Sequence, residues 1–308
     1  MSKSGFVAII GRPNAGKSTL LNRILGSTLS IVTPKAQTTR ERVLGILTEE
    51  KGQIVFVDTP GIHKAREGGI NEFMVSEAKG ALDAPSCVWY LVDPRSKLEH
   101  EQVVIDLMKP CRASRTPVFV LMNKSDLFGK SISAEKVSAL RESLIAPLKA
   151  SGLDIREILP ISAAQGGKEV EELLRKTWEL MPEGPLYYDD VDQLSDRPTR
   201  FFVSEKIREQ LYLKLGEELP YSCGVAIEKF EEQSKPPRIE AVIYVERESQ
   251  KGIVVGKGGA KIKEIGQASR ASIEEFLGHK IFLGLKVKLL KDWTRDIAAL
   301  ERMGYRKP

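Results

Sequence analysis

The chain reads Gly11-Arg12-Pro13-Asn14-Ala15-Gly16-Lys17-Ser18 directly after a predicted strand, Phe6–Ile10, and at the start of a predicted helix, Lys17–Leu25. This order fits the Gly-x-x-x-x-Gly-Lys-Ser loop, in which backbone N–H groups and a helix N-terminus surround phosphate oxygens. We expect Lys17 to reach the β- and γ-phosphates and Ser18 to give its hydroxyl to Mg²⁺. The stretch alone separates neither ATP from GTP nor a hydrolase from a kinase.

Around this loop, residues 5–181 alternate short apolar runs with amphipathic stretches. The apolar runs are rich in Val and Ile, as strands buried on both faces are: Phe6–Ile10, Ile54–Val57, Cys87–Val92, Val118–Met122 and Ile158–Ile161. Helical patterns lie between them, at Lys17–Leu25, Ile70–Leu82, Glu101–Met108, Glu135–Leu148 and Val170–Met181. The alternation predicts a doubly wound α/β sheet with helices on both faces. Arg42–Thr48 and a following turn predict one antiparallel edge strand, so the sheet is expected to be mixed.

A second motif, Asp58-Thr59-Pro60-Gly61, ends the strand Ile54–Val57. There a carboxylate can hold Mg²⁺ through water while the Gly61 amide contacts the γ-phosphate. By itself the motif also makes an ordinary turn, so its position carries the interpretation. The two motifs together predict these phosphate contacts: Gly11, Arg12, Pro13, Asn14, Ala15, Gly16, Lys17, Ser18, Thr19, Asp58, Thr59, Pro60 and Gly61.

A candidate switch lies between these motifs, at Gln37, Thr38, Thr39 and Arg40. A threonine hydroxyl in such a loop closes on Mg²⁺ when the γ-phosphate is present. We favour Thr39 and keep Thr38 as the alternative. A further alternative is that both are turn threonines before an edge strand. The predicted Mg²⁺ ligands are Ser18, Thr39 and Asp58.

The nucleotide base is predicted from Asn123-Lys124-Ser125-Asp126, which fits an Asn-Lys-x-Asp motif after a buried strand. The Asp126 carboxylate can accept hydrogen bonds from N1–H and the 2-amino group of guanine, and adenine lacks both donors. Asn123 is expected either to contact the opposite guanine edge or to tie loops together, and the Lys124 stem to cover the base. Ser162-Ala163-Ala164 is expected to place a backbone N–H on guanine O6.

Slow hydrolysis is expected because Ile62, and not a glutamine, follows Gly61. His63 is nearby, but a surface histidine in a loop is the favoured interpretation. No arginine can be assigned from the sequence as a finger in cis. Hydrolysis then depends on another group that positions water or neutralises the transition state.

The bulk composition indicates a cytoplasmic protein of two domains. A length of 308 residues exceeds one compact core, and 42% hydrophobic with 29% charged residues is an ordinary globular mixture. No run approaches the roughly 20 apolar residues that span a bilayer, and Gly5–Ile10 is too short for a signal peptide. Cys87, Cys111 and Cys223 lack metal-site spacing, which favours buried or incidental free thiols.

A boundary is expected at Pro182–Pro198, where prolines end the last helical pattern and an acidic stretch follows. The chain then divides into residues 1–181, a linker 182–198, and residues 199–308. Residues 197–308 carry 22 Lys and Arg against 16 Asp and Glu. This excess indicates a polyanionic partner, although a solvated lysine-rich surface explains it equally well.

The second segment has the predicted order α-β-β-α-α-β, a small α+β domain. Its elements are Phe201–Leu215, Gly224–Phe230, Arg238–Val245, Ala260–Ile265, Ser269–Leu277 and Ile281–Leu290. A Gly-x-x-Gly loop at Gly256–Gly259 would let an RNA backbone approach, with lysines to meet its phosphates. The predicted RNA contacts are Gly256, Lys257, Gly258, Gly259, Lys261 and Lys263. A plain helix–helix turn is the alternative to this KH-type loop.

Seven segments carry a family resemblance: Gly11–Ser18, Lys35–Arg40, Asp58–His63, Asn123–Asp126, Glu218–Ser222, Gly256–Lys263 and Met303–Tyr305. With them the chain resembles the Era family of bacterial ribosome-associated GTPases over nearly its whole length. The resemblance implies a Ras-like P-loop GTPase domain followed by a type II KH domain. It also implies binding of the 3′ end of 16S rRNA, with GTP favouring RNA capture during maturation of the small (30S) subunit.

Further expectations accompany the resemblance. Asn14 matches an asparagine that in related GTPases helps hold a K⁺ ion near the phosphates, and Ile62 matches the family's apolar residue in place of glutamine. The family implies cytoplasmic residence with some peripheral association at the inner face of the cell membrane. We expect a monomer.

Two other function classes stay open. An RNA-binding assembly factor could use its first domain only to hold a nucleotide, which measured GTP turnover would decide. A membrane-surface regulatory GTPase could bind anionic lipid through the basic half. The strand-like alternation of Ile281–Leu290, without a long basic amphipathic helix, argues against that alternative.

Overall fold

The computed structural model describes residues 2–35, 38–62, 69–216 and 218–305. The predicted switch residue Gln37 and the neighbouring His63 lie outside the described residues. The described chain forms two sheets, one of six strands in its first half and one of three strands in its second half.

The first sheet is mixed, with a single antiparallel strand at its edge. Its strands are β1 (Lys3–Gly11), β2 (Val43–Glu49), β3 (Gly52–Asp58), β4 (Cys87–Val92), β5 (Pro117–Met122) and β6 (Asp154–Pro160). They lie in the order β2-β3-β1-β4-β5-β6, and only β2 runs antiparallel to its neighbour. The prediction of a doubly wound mixed sheet is confirmed.

Helices cover both faces of this sheet: α1 (Lys17–Leu25), α2 (Gly69–Gly80), α3 (Leu98–Leu107), α4 (Pro110–Ala113), α5 (Ala134–Ser151) and α6 (Lys168–Leu180). Successive side chains of β1 pack into the cores on opposite faces of the sheet, because side chains of a strand alternate between its faces. Ala8 and Ile10 belong to one buried cluster and Val7 and Ile9 to the other. The sheet is therefore rigidly packed, and its strand ends can hold side chains in fixed positions.

The second sheet has the order β7-β8-β9 and completes the predicted α+β domain. Its elements are α7 (Thr199–Lys214), β7 (Gly224–Glu231), β8 (Arg238–Val245), α8 (Glu248–Val255), α9 (Ala260–Leu277), β9 (Phe282–Leu289) and α10 (Ile297–Arg302). β7 and β8 are antiparallel, whereas β8 and β9 are parallel.

One prediction for this domain is wrong. Ala260–Ile265 and Ser269–Leu277 are not separate helices but parts of the single helix α9, and the other helix of the pair, α8, precedes the glycine loop. Gly266, between the two predicted stretches, is helical, and a β-carbon added there would make only an ordinary contact, at 3.5 Å, with Leu285 of β9.

The segment between the two sheets is irregular but attached to the first sheet. The Gln53 carboxamide is fully buried and accepts hydrogen bonds from the backbone N–H groups of Tyr187 and Tyr188, at 2.9 and 3.0 Å. Further along, the Ile46 N–H donates to the Leu194 carbonyl at 2.9 Å. The predicted linker is thus fixed along β2 and β3, while its boundaries at 182 and 198 stay predictions.

The two halves also share apolar contacts. Phe202 of α7 packs with Leu29 and Val43 of the first half, and Phe73 of α2 packs with Trp293 and Tyr305 of the second half. Cys87, Cys111 and Cys223 are buried free thiols. Across the described ranges, no helix combines the length and the apolar character that crossing a membrane requires.

Candidate nucleotide site and RNA surface

A cavity of about 560 Å³ opens where the parallel strands of the first sheet end. Clefts at the carboxyl ends of such strands are where ligands of open α/β sheets bind. Most of the predicted nucleotide contacts line it. They are Pro13, Asn14, Gly16, Lys17, Ser18, Thr19, Thr38, Thr39, Gly61, Asn123, Lys124, Asp126, Ala163 and Ala164.

The phosphate loop is shaped by close packing against the base-recognition loop. Gly16 has φ +101°, and a β-carbon there would lie 2.1 Å from Nδ2 of Asn123, so only glycine fits. Gly11 is similarly constrained by the Leu91 carbonyl. The Lys17 ammonium donates to the carbonyls of Gly11 and Arg12 at 3.2 and 3.0 Å. Burial lowers the pKa of Lys17 to about 8, an effect that the neighbouring Asp58 carboxylate opposes.

Three oxygen side chains meet beside Lys17. The Ser18 hydroxyl donates to Oδ2 of Asp58 at 2.6 Å and lies 3.0 Å from the Thr39 hydroxyl. Because the one Ser18 proton goes to Asp58, Thr39 is the donor to Ser18. Asp58 is fully buried, and its Oδ1 accepts no hydrogen bond from any described group. A hard divalent cation with its bound waters fits this set of oxygen ligands, so the residues suit Mg²⁺.

The structure distinguishes the two switch threonines. The Thr38 hydroxyl lies 2.8 Å from that of Thr33 and donates to the Lys35 carbonyl at 2.9 Å. Thr38 therefore stabilises its own loop, although it also borders the cavity. Thr39 is the threonine whose hydroxyl lies beside Ser18, the position that a metal ligand requires.

The opposite end of the cavity carries the base-recognition residues. The Ser162 hydroxyl donates to Oδ1 of Asp126 at 2.7 Å, which orients the carboxylate. The buried Asn123 carboxamide donates to the Ala15 carbonyl at 2.6 Å and accepts from the Ala163 N–H at 2.9 Å. Asn123 thus ties three loops together, the second of the two roles that the sequence left open.

The sequence analysis missed two residues beside the predicted guanine contact Lys124. Asp93, which follows β4, accepts a 2.7 Å hydrogen bond from the Lys124 ammonium and holds it across this end of the cavity. Arg95 borders the cavity and pairs with the same carboxylate at 2.7 Å. These two bonded cations hold the pKa of Asp93 at about 2, against the opposing effect of burial. Their place after a parallel strand was the signal that could have identified them.

Some predicted contacts face away from the cavity. The Thr59 hydroxyl donates to the Ile9 carbonyl at 2.8 Å, and the Arg12 guanidinium donates to the Ile62 carbonyl at 3.3 Å. Arg40 points into the second half of the chain, where Nη1 donates to the Cys223 carbonyl at 2.9 Å. Ile62 is buried, with its N–H on the Gly11 carbonyl at 3.1 Å. These residues shape the loops around the site.

The glycine loop of the second half lies between α8 and α9. Gly256, Gly258 and Gly259 all have positive φ, and a β-carbon on Gly258 or Gly259 would meet nothing within 4 Å, so the outer face of the loop is open. Lys257 and Lys263 are exposed and have no ion pair with a described residue, whereas Lys261 pairs with Glu264 at 2.8 Å.

A groove of about 320 Å³ lies along the same helix. Its walls are Ile262, Lys263, Gly266, Gln267, Arg270, Leu283 and Leu285. Lys263, Gln267 and Arg270 recur at helical spacing on one face of α9. Apart from Lys263, the sequence analysis did not select these residues, although their spacing and the alternation of β9 could have indicated them.

Comparison with known proteins agrees with both halves of this description. A family model described as a 50S ribosome-binding GTPase matches residues 6–124, and a KH domain model matches residues 218–294. A crystal structure of an Aquifex aeolicus Era variant bound to GDP·AlF₄⁻ is 35% identical and superposes with a TM-score of 0.88. The match covers 98% of this chain and 99% of that one.

A second structure shows Era with MgGDPNP and nucleotides 1506–1542 of 16S ribosomal RNA. It is also 35% identical, with a TM-score of 0.88, and the match covers 99% of both chains. Identity at this level along whole chains, with a P-loop GTPase domain followed by a KH domain, shows the family. The chain belongs to the Era family of GTPases.

Proposed function

We propose that this protein is a Mg²⁺-dependent GTP-hydrolysing switch that controls capture of ribosomal RNA. The observation that carries the proposal is the meeting of Ser18, Thr39 and Asp58 at one end of a cavity whose other end presents Asp126. A triphosphate on Lys17 would place its γ-phosphate beside Thr39, and its base would reach Asp126.

The chain's own residues supply binding and orientation. Mg²⁺, when bound, would neutralise charge on the phosphate oxygens. Lys17 and the backbone N–H groups of the phosphate loop bind the phosphates. Asp126, oriented by Ser162, accepts from guanine, and a base without both donors would leave this carboxylate unpaired. Asp93 keeps the Lys124 stem over the base.

Intrinsic turnover is proposed to be slow because the residue that follows Gly61 is Ile62, whose side chain cannot orient water. Ile62 is 4% exposed and packs into the core, so its position cannot present a polar group to the cavity. We also propose a K⁺ site at Asn14, whose Nδ2 donates to the Pro34 carbonyl at 3.0 Å, between the phosphate loop and the switch. Higher turnover in K⁺ than in Na⁺ would support it, and equal rates would contradict it.

The proposed RNA partner is the 3′ end of 16S rRNA, bound during maturation of the small ribosomal subunit. The support is the near-full-length likeness to Era in complex with nucleotides 1506–1542 of that RNA. In this chain the open glycine loop and the groove along α9 would receive a single strand, with phosphates on Lys257 and Lys263.

The experiment uses a 16S 3′-end oligoribonucleotide and the full chain. Gly258→Asp combined with Lys257→Glu should abolish RNA binding while GTP hydrolysis persists, since neither residue lines the nucleotide cavity. The control is Lys235→Glu, in the turn that precedes β8, at the opposite end of that strand from α8. Unchanged RNA affinity in the double variant, or an equal loss in the control, would contradict the KH assignment.

Three further proposals concern context. The domains divide at residues 1–181, 182–198 and 199–308; the protein acts as a monomer; and it resides in the cytoplasm with peripheral association at the inner face of the cell membrane. Flotation with anionic liposomes tests the last point, because a peripheral protein should be released by high salt. No flotation at low salt would contradict it.

A further inference from the structure

The residue after the switch threonine is buried in the second half of the chain. Arg40 is 3% exposed, and Nη1 donates to the Cys223 carbonyl at 2.9 Å and lies 3.3 Å from the Tyr305 hydroxyl. Nη2 reaches the carbonyls of Tyr221 and Pro220 at 2.9 and 3.3 Å. The guanidinium also lies 5.6 Å from the centre of the Trp293 ring. Every one of these partners belongs to the RNA-binding half.

The charge of Arg40 is stabilised by neutral groups. Among the described residues no carboxylate lies within ion-pair distance of it, so carbonyl and hydroxyl acceptors must satisfy the guanidinium. A buried charge whose acceptors are misplaced is destabilising, because nothing replaces the water it has lost. Arg40 therefore stays in this pocket only while the pocket keeps its geometry, and a shift of the pocket must move Arg40 with it.

Thr38, the residue before the switch threonine, is also bonded to the second half of the chain. Arg208 of α7 is 2% exposed, and its Nη1 donates to the Thr38 carbonyl at 2.5 Å. Its Nε donates to Glu205 on the same helix at 2.7 Å, which fixes the guanidinium. Consecutive Cα atoms are only about 3.8 Å apart, so bonds on both neighbours of Thr39 fix where its hydroxyl can lie.

The helix α2, which follows the Asp58–Gly61 motif in the chain, begins on the same surface. The Ile70 N–H, in the first turn of α2, donates to the Thr294 carbonyl at 2.8 Å. Phe73 of α2 lies edge-on to Tyr305 at 5.6 Å, and Tyr305 stacks on Trp293 at 6.2 Å. The segment Trp293–Tyr305 thus contacts both the helix after Gly61 and the arginine after Thr39.

We propose that Arg40 and Arg208 are positioning residues through which the RNA-binding half places Thr39 at the metal site. The inference rests on the proposed function and adds the physical route of its coupling. A rearrangement of the pocket around Trp293–Tyr305 withdraws Thr39 from Ser18, and closure of Thr39 on Mg²⁺·GTP favours one arrangement of the pocket. By linkage the two effects are reciprocal.

The test compares the affinities of fluorescent GDPNP and GDP for full-length variants, with excess Mg²⁺ and with EDTA. Arg40→Lys and Arg208→Lys keep the charge but cannot reach the same acceptors. Each should weaken GDPNP binding in Mg²⁺ about tenfold, the usual scale for losing hydrogen bonds of a charged group. GDP affinity should change less than about twofold, because GDP offers no γ-phosphate for the switch to close on.

Lys206→Met is the matched control. Lys206 lies on α7 close to Arg208 and is 7% exposed, but its ammonium contacts Thr28, away from the switch, at 3.1 Å. GDPNP affinity should be unchanged in this variant. Tyr305→Phe removes one acceptor from Arg40 without changing the ring and should give a weaker effect in the same direction, so the idea remains testable if Arg40→Lys unfolds.

Normal GDPNP affinity in folded Arg40→Lys and Arg208→Lys would overturn the inference. An equal loss in Lys206→Met would also overturn it, by showing a general effect of domain contact. If instead the wild-type protein bound GDPNP equally with Mg²⁺ and with EDTA, the proposed function itself would fail.

Discussion

The hydroxyl oxygens of Ser18 and Thr39 lie 3.0 Å apart, although 21 residues separate them in the chain. Ser18 is fixed at the start of α1, whereas Thr39 lies in a loop without regular structure. One predicted metal ligand, Ser18, is therefore held by a helix, whereas the position of the other, Thr39, depends on the conformation of one loop. This division is what a nucleotide switch requires.

Thr39→Ala should lower GTP turnover in saturating Mg²⁺ by about 10- to 100-fold, because the alanine removes an oxygen that closes on the metal. Thr38→Ser is the control, since serine keeps the hydroxyl that bonds to Thr33 and Lys35. Single-turnover hydrolysis measures both. A larger defect in Thr38→Ser than in Thr39→Ala would reverse the assignment of the two threonines.

Asp126→Asn should change the preferred base from guanine to xanthine. The carboxamide donates where xanthine has an oxygen, whereas it cannot accept both guanine donors. Competition with GTP and xanthosine triphosphate should show a shift in relative affinity of about 100-fold or more. Unchanged preference would exclude Asp126 as the base contact.

Most of the nucleotide site could be predicted from the sequence because its motifs are short and follow strands. Lys17, Ser18 and Asp126 lie within a few residues of a strand end, so the topology of a parallel sheet brings them together. Arg40 was predicted as a switch residue, but its burial depends on Cys223 and Tyr305, more than 180 residues away. No local pattern encodes such a contact.

The arrangement of α8 and α9 was missed for a similar reason. A glycine inside a helix has the local signature of a break, yet Gly266 lies within α9 and Gly252 within α8. The helix propensity of glycine is lower than that of alanine by only about 1 kcal/mol. Burial of Ile265 and Ile273 on one face of α9 outweighs that difference.

Lys263→Ala should weaken RNA binding across sequences and reduce the slope of log Kd against log salt by about 0.7, as expected for one lost phosphate contact on a single strand. Lys261→Ala should do less, because that ammonium is already paired with Glu264. Titration of a 16S 3′-end oligoribonucleotide at several salt concentrations measures both slopes. Equal slopes in the two variants would argue against direct phosphate contact by Lys263.

Ile62→Gln should not create a faster enzyme. The Ile62 side chain is 4% exposed and lies in the hydrophobic core, so a carboxamide there would be buried among apolar side chains. The free energy of unfolding, measured by urea denaturation, should fall by about 1–3 kcal/mol. The rate of GTP turnover should not change. Ile62→Val is the control for lost side-chain volume, and it should lower the free energy of unfolding by about 1 kcal/mol. A clear rise in turnover would show that position 62 can reach the attacking water.

In the proposed function, the nucleotide state controls RNA capture through Thr39. Its most direct measurement is the Kd of a 16S 3′-end oligoribonucleotide for the full chain, loaded with Mg²⁺·GDPNP or with Mg²⁺·GDP. We expect at least about tenfold tighter binding with GDPNP, within the usual range of coupling between two sites, and no difference in Thr39→Ala. Equal Kd values in the two nucleotide states of the wild-type protein would contradict it.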